Sequence, residues 1–223
     1  MTFFKNFLIP TLLVLPTLST TCYAQSPLVI DIVKKSDNAL TQVAIVPFAG
    51  AESISGIVTN DLTNLGQFTL DSNLPERPHS SSEVTLPVWQ HKAVPYLVVG
   101  NTRSSRGNVE INFEVINVAT GEVMQGLQTV TSKNNSQSLR MAGHKVADRI
   151  YEILTGIKGD FSGRIAYVVE TGKPKNRVSR LVISDVDGFN PKVIYEFNGT
   201  IKTLNTSADN QTFTFQVQPD TLG

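Results

Sequence analysis

Two hydrophobic patterns divide the chain near residue 157. Before that point, apolar residues recur at intervals of three and four in two segments, which is the spacing of an amphipathic helix. The first predicted helix covers 52–65 and is followed by Gly66, a typical C-cap residue. The second covers 136–154, with Ser136 as the predicted N-cap and Gly156 just past its end.

Short β-branched runs alternate with these helices. They predict strands over 28–33, 42–48, 96–100, 108–117 and 123–130, together with a short helix over 84–91. In 108–117 the alternation is strict, because Val109, Ile111, Phe113 and Val115 share one side. Strands and helices that alternate along a chain predict an α/β domain, which we place at residues 25–157.

The pattern after a linker at 158–163 is all-β. Short strands are predicted over 164–170, 180–186, 192–196 and 212–217, with a hairpin turn at Asp187-Gly188. The first and last of these strands share an alternation at an offset close to the length of a propeller blade, about 40 to 50 residues. Propellers close with four to eight blades, whereas residues 164–223 supply about one and a half. The predicted β region is therefore an incomplete propeller segment.

The first 24 residues have the features of a secretory signal peptide. Lys5 precedes an apolar run at 7–18, which is followed by Cys22-Tyr23-Ala24. We expect cleavage after Ala24, a mature chain that begins at Gln25, and export to the periplasm without a transmembrane segment. Cleavage would also remove Cys22, the single cysteine. The alternative is a lipoprotein signal in which Cys22 is acylated.

Composition and charge exclude two classes of protein. Hydrophobic residues make up 40% and charged residues 17%, and 19 basic side chains balance 19 acidic ones. This composition is typical of a folded chain rather than a disordered one. The absence of net charge, with basic residues scattered along the sequence, argues against a nucleic-acid binder.

The sequence lacks a complete catalytic or metal-binding motif. Ser162 is displaced by one position from a nucleophile elbow. His79, His91 and His144 have no second ligand at metal spacing, so each is expected to be a surface or hydrogen-bonded residue. Asp185, Asp187 and Glu196 fit three positions of a calcium loop, but Phe189 stands where an oxygen ligand is needed. We therefore expect no enzyme activity, cofactor or metal, and a function in non-covalent recognition.

Several sequence segments, taken in order, resemble the TolB family of the Tol-Pal system. The longest is residues 154–168, LTGIKGDFSGRIAYV, which resembles the family's junction between N-terminal domain and propeller. The others are Val46-Pro47-Phe48, residues 57–62 with Gly66 and Phe68, Val98-Val99-Gly100, Ala142-Gly143-His144 with Ala147-Asp148, and residues 184–190. Together these segments extend over nearly the whole mature chain.

The resemblance implies an anticodon-binding-domain-like α/β domain over 25–157 and the start of a six-bladed propeller. It also implies a non-enzymatic periplasmic adaptor that links inner-membrane TolA to the outer-membrane lipoprotein Pal, for envelope integrity and cell division. The family's TolA-binding segment maps to the mature N-terminus: Gln25, Ser26, Pro27, Leu28, Val29, Ile30, Asp31 and Ile32. From the residues alone, this segment is either a strand that adds to a partner's sheet edge or the first strand of its own domain.

Two departures from the family pattern leave alternatives open. Pro27 lacks a backbone donor, which weakens strand addition at that position. The family's Trp-Ser-Pro-Asp-Gly blade motif is replaced by Thr206-Ser207-Ala208-Asp209-Asn210. We therefore expect reduced or absent Pal binding. The alternatives are a truncated or divergent periplasmic domain that binds another envelope protein, and a secreted hydrolase.

Overall fold

A five-stranded mixed sheet is the centre of the first part of the molecule. The computed structural model describes residues 40–207 and 212–220. The strands are β1 (Thr41–Ile45), β2 (Phe68–Asp71), β3 (Tyr96–Ser105), β4 (Asn108–Asn117) and β5 (Glu122–Lys133), in the order β2-β1-β3-β4-β5. β1 pairs in parallel with β2 and β3, while β3, β4 and β5 are antiparallel. The predicted strand at 28–33 and the predicted signal peptide lie outside the described residues.

Three α-helices cover the two faces of this sheet. They are α1 (Glu52–Asn64), α2 (Leu86–Lys92) and α3 (Ser136–Thr155). α1 and α3 bury one face in a core that includes the predicted stripe of β4, since Val109, Ile111, Phe113 and Val115 are all 5% exposed or less. α2 covers the other face through Trp89, which is fully buried. The predicted alternation of β4 is confirmed.

The ends of α3 show one correct and one wrong prediction. Gly156 caps the C-terminus with a φ of 73°, a left-handed conformation that glycine adopts without steric cost. Ser136, however, is the first helical residue rather than the N-cap. The cap is Asn135, whose side chain accepts a hydrogen bond from the backbone N–H of Ser138 at 2.9 Å. Asparagine and serine are comparable N-caps, so the sequence did not separate two adjacent candidates.

Two small antiparallel sheets follow the linker. β6 (Arg164–Thr171), β7 (Val178–Asp185) and β8 (Lys192–Asn198) form one sheet, and β9 (Thr200–Thr206) pairs with β10 (Phe213–Gln218) in another. β9 was not predicted, because its polar residues interrupt the apolar alternation. The predicted fold class, an α/β domain followed by an incomplete all-β segment, is confirmed, and the described strands form no closed propeller. No helix among residues 40–207 and 212–220 is long and apolar enough to cross a membrane.

Two carboxylates hold the polar loop that connects β2 to α2. Glu76 Oε1 accepts hydrogen bonds from the backbone N–H of Thr85 at 2.8 Å and from Trp89 Nε1–H at 2.6 Å. Glu114 on β4 accepts from the backbone N–H and hydroxyl of Ser81 at 2.7 and 2.8 Å. The Glu76 contact matters most for the core, because it satisfies the one polar atom of the fully buried Trp89 side chain.

Replacing Glu76 tests this contact. Glu76→Ala leaves the indole N–H of Trp89 without its acceptor, so we expect the free energy of unfolding to fall by about 1–3 kcal/mol. Glu76→Gln keeps an oxygen acceptor and should lose less. Trp89 is the only tryptophan of the chain, so its fluorescence during urea unfolding measures the effect directly. Equal stability of wild type and Glu76→Ala would contradict the assignment.

The same carboxylate gives the domain a predicted acid sensitivity. Burial raises the pKa of Glu76, but hydrogen bonds from Thr85 and Trp89 outweigh burial and hold the pKa below the ordinary value of 4.5. A carboxyl with a lowered pKa in the folded state stabilises the fold above the unfolded-state value and loses that contribution as pH falls through the folded-state value. We therefore expect the stability difference between wild type and Glu76→Ala to be constant above about pH 5.5 and to shrink below pH 4.5 in urea titrations.

Candidate functional site at the junction

The segment that the sequence indicates for partner binding lies outside the described residues. The residues of this segment are Gln25, Ser26, Pro27, Leu28, Val29, Ile30, Asp31 and Ile32. Its role therefore stays a prediction. Within the described residues, a group of polar contacts lies where α3 meets the linker and the first small sheet. This region is called the junction below.

A buried carboxylate–imidazole pair joins α1 to α3. Asp61 Oδ2 lies 2.7 Å from Nδ1 of His144, and the two side chains are 5% and 1% exposed. An ionised carboxylate can only accept, so the Nδ1–H of His144 donates in this contact. Gly143 precedes His144 and lets the helices approach, since a Cβ there would lie 3.0 Å from the side chain of Ile57. His144 was predicted to be either a surface residue or a hydrogen-bonded one, and the second alternative is confirmed.

The other ring nitrogen of His144 faces the loop at 186–191 that joins β7 to β8. Nε2 lies 3.7 Å from Oδ2 of Asp187 and has no hydrogen-bond partner among the described residues. Asp187 forms an ion pair with Arg140, one helical turn before His144 on α3. The guanidinium of Arg140 also lies over the ring of Phe189, 4.0 Å from its centroid, in a cation–π contact. One face of α3 therefore holds this loop by charge and by aromatic contact.

Asp148, a further turn along the same face of α3, holds the linker. Its carboxylate accepts from the backbone N–H of Phe161 at 2.5 Å and from that of Ser162 at 3.2 Å. The ring of Phe161 meets Tyr151 edge to face at 6.0 Å. Gly159 is required by close approach, because a Cβ at this position would lie 2.5 Å from the Cα of Asp148. The linker backbone is thus bound to α3 rather than free.

Sequence reasoning missed the junction, although a signal was available. Arg140, His144 and Asp148 are spaced by four residues on a helix whose other stripe is apolar, and such spacing places them on one face. The predicted hairpin turn at Asp187-Gly188 is confirmed, since β7 and β8 are antiparallel and the backbone N–H of Gly188 donates to the carbonyl of Asp185 at 2.9 Å. Among the described residues, no three His, Cys, Asp or Glu side chains form a group that could hold a metal ion.

The ion pair across the junction can be tested by removing one charge. Asp187→Asn keeps the oxygen that accepts from the backbone N–H of Phe189 but loses the attraction to Arg140. We expect amide hydrogen exchange in the loop at 186–191 to accelerate about fivefold, the factor produced by about 1 kcal/mol. Unfolding followed at Trp89 should shift by less than about 0.5 kcal/mol.

Glu196→Gln is the matched control for this substitution. Glu196 pairs with Arg180 on an exposed part of the same sheet, and exposed pairs contribute little. We expect no change in exchange of the 186–191 loop for this variant. Equal acceleration by both variants would show that the loop responds to any loss of charge and not to the junction pair.

Comparison with known proteins identifies the first part of the chain. Residues 28–124 match the model of the TolB amino-terminal domain. The Tol-Pal system protein TolB of Acinetobacter baylyi is 38% identical over 180 residues, which cover 80% of this chain and 41% of the relative. TolB of Xylella fastidiosa strain Temecula1 is 35% identical over 197 residues, which cover 84% of this chain and 44% of the relative.

A solved structure supports the same relationship. The crystal structure of TolB from Acinetobacter baumannii superimposes with a TM-score of 0.70 at 32% identity, over 80% of this chain and 44% of that one. The chain thus spans less than half the length of the relatives it matches. The chain therefore contains a TolB amino-terminal domain, and over its α/β domain and the strands that follow it is similar to the Tol-Pal system proteins named TolB.

Proposed function

We propose that this chain is a non-enzymatic periplasmic adaptor that connects TolA of the inner membrane to the lipoprotein Pal of the outer membrane. The observation that carries the proposal is the 38% identity, over 180 residues, to a Tol-Pal system protein. The adaptor would support envelope integrity and cell division. A periplasmic location agrees with the signal-peptide pattern of residues 1–24.

The proposed TolA-binding element is the mature N-terminus, from Gln25 to Ile32. It joins a short polar lead to a β-prone run, which is the composition of a peptide that adds as a strand to the edge of a partner sheet. Strand addition uses backbone donors, and Pro27 has none. Pairing is therefore expected to begin at Leu28.

The contacts at the junction support an adaptor role, because they hold the α/β domain and the strands after the linker together. A protein that joins two partners transmits force between them only if its own parts hold together. Here α3 contacts the linker through Asp148 and the 186–191 loop through Arg140. Pal would contact the strand region after the linker. Because the sequence at 206–210 departs from the family's blade motif, we propose that Pal binding is reduced or lost.

Calorimetric titration tests the N-terminal role. Mature protein with a free Gln25 terminus should bind the TolA periplasmic domain, and a variant that lacks residues 25–32 should not. Ile30→Pro removes one backbone donor and fixes φ, so it should weaken binding about tenfold or more, whereas Ile30→Val keeps the strand and should bind like wild type. Trp89 fluorescence confirms that every variant is folded.

Different results would contradict the proposed TolA binding and the proposed reduction of Pal binding. Binding of TolA that survives deletion of residues 25–32 would place the contact elsewhere, and absence of TolA binding by any form would indicate a TolB-like domain that serves another envelope protein. Titration with the Pal periplasmic domain tests the proposal about Pal binding. Affinity equal to that of a full-length TolB would contradict the proposed loss of Pal binding.

A further inference from the structure

A cationic cleft lies along the N-terminal half of α3. It consists of two adjoining depressions of about 390 and 80 Å³ that share Gln137, Arg164 and Asp185 as walls. The larger one runs along α3 and the end of β5, and the smaller one continues onto β7 and β8. The described residues that line the two depressions all fall between 131 and 194, outside the sequence of the proposed TolA-binding segment.

The walls of this cleft carry an excess of positive charge. Four cations line it, each from a different element: Lys133 of β5, Lys145 of α3, Arg164 of β6 and Lys192 of β8. The single carboxylate in the lining is Asp185, which is 5% exposed and accepts a hydrogen bond from Asn190 at 3.1 Å. The chain as a whole has as many acidic as basic residues, so four cations and one carboxylate in this cleft are a local concentration of positive charge.

None of the four cations forms an ion pair with another residue that the structure describes. The ion pairs of the described residues involve Lys92, Arg140, His144, Arg149, Arg177 and Arg180, and none involves a cation of the cleft. Like charges gathered in a depression focus a positive potential there, which attracts an anion. The lining also offers hydroxyl and amide groups from Thr131, Ser132, Gln137 and Ser138 that can bond to a polar ligand.

The shape of the lining favours one class of anion. From Gln137 to Lys145 the cleft follows α3 for about 12 Å, at a rise of about 1.5 Å per residue. The four cations come from four elements and are distributed over two adjoining depressions, with Lys133 and Lys145 lining the larger one and Lys192 the smaller one. An extended peptide covers 12 Å with about four residues. No aromatic side chain lines either depression, so bases of a nucleic acid would find no stacking surface.

We propose that this cleft is a second interaction site, which binds an acidic peptide segment of a partner protein in extended form. Carboxylates of the peptide pair with Lys133, Lys145, Arg164 and Lys192, and the hydroxyl and amide side chains of the cleft bond to its backbone. The proposal does not depend on TolA or Pal binding.

The test uses fluorescence anisotropy of labelled hexaglutamate with the mature chain. The double variant Lys133→Gln/Lys145→Gln should weaken hexaglutamate binding about tenfold, since it removes two of the four cations. Lys173→Gln/Lys175→Gln makes the same change in net charge on an exposed turn and should change affinity less than twofold. Hexaglutamine should not bind, and hexaglutamate binding should weaken as salt rises.

Other occupants are separate outcomes. Equal loss in the two double variants would overturn the proposal, because net charge and not the cleft would then drive binding. Displacement of hexaglutamate by equimolar inorganic phosphate, or by vesicles of anionic lipid, would assign the cleft to a phosphate group instead of a peptide. Binding that appears only after removal of residues 25–32 would show that the chain's own N-terminus occupies the cleft. Lys133 and Lys145 are exposed, so both variants should fold, which Trp89 fluorescence verifies.

Discussion

The contact between Asp61 and His144 is the constraint around which the junction is arranged. A carboxylate buried between two helices is costly unless a donor satisfies it, and His144 supplies that donor from α3. Once Nδ1 faces α1, the geometry of the ring directs Nε2 to the opposite side, toward Asp187. A requirement of the α/β core therefore sets where the 186–191 loop meets a polar side chain of α3.

Helix α3 serves three surfaces at once. Its apolar stripe, with Val146 and Ile150, fills the core of the five-stranded sheet. Arg140, His144 and Asp148 form a polar face that holds the loop and the linker. The first turns also line the cationic cleft through Gln137 and Lys145. A helix of 20 residues has more than five turns, which is enough to contact all three surfaces. The longest helix of the described chain accordingly lies at the junction.

Much of the α/β domain could be predicted from the sequence, because periodicity reports which face of an element is buried. The alternation in β4 and the apolar repeat of α1 were reliable for this reason. β9 was not predicted because most of its residues are exposed, so its sequence shows no alternation of apolar and polar side chains. Contacts such as that of Asp61 with His144, 83 residues apart, leave no local pattern. The four cations of the cleft looked scattered for the same reason, since the fold brings them together from four elements.

The two parts of the molecule differ in what holds them. The α/β domain buries two apolar clusters, one on each face of its sheet. In the small sheets, the buried apolar side chains among the described residues are Leu181, Val182 and Ile201. Sheets with so little apolar burial depend more on hydrogen bonds and ion pairs, whose strength is set by geometry and solvent access. The polar contacts of α3 with the linker and the loop are therefore the means by which the well-packed domain fixes the position of the strands that follow it.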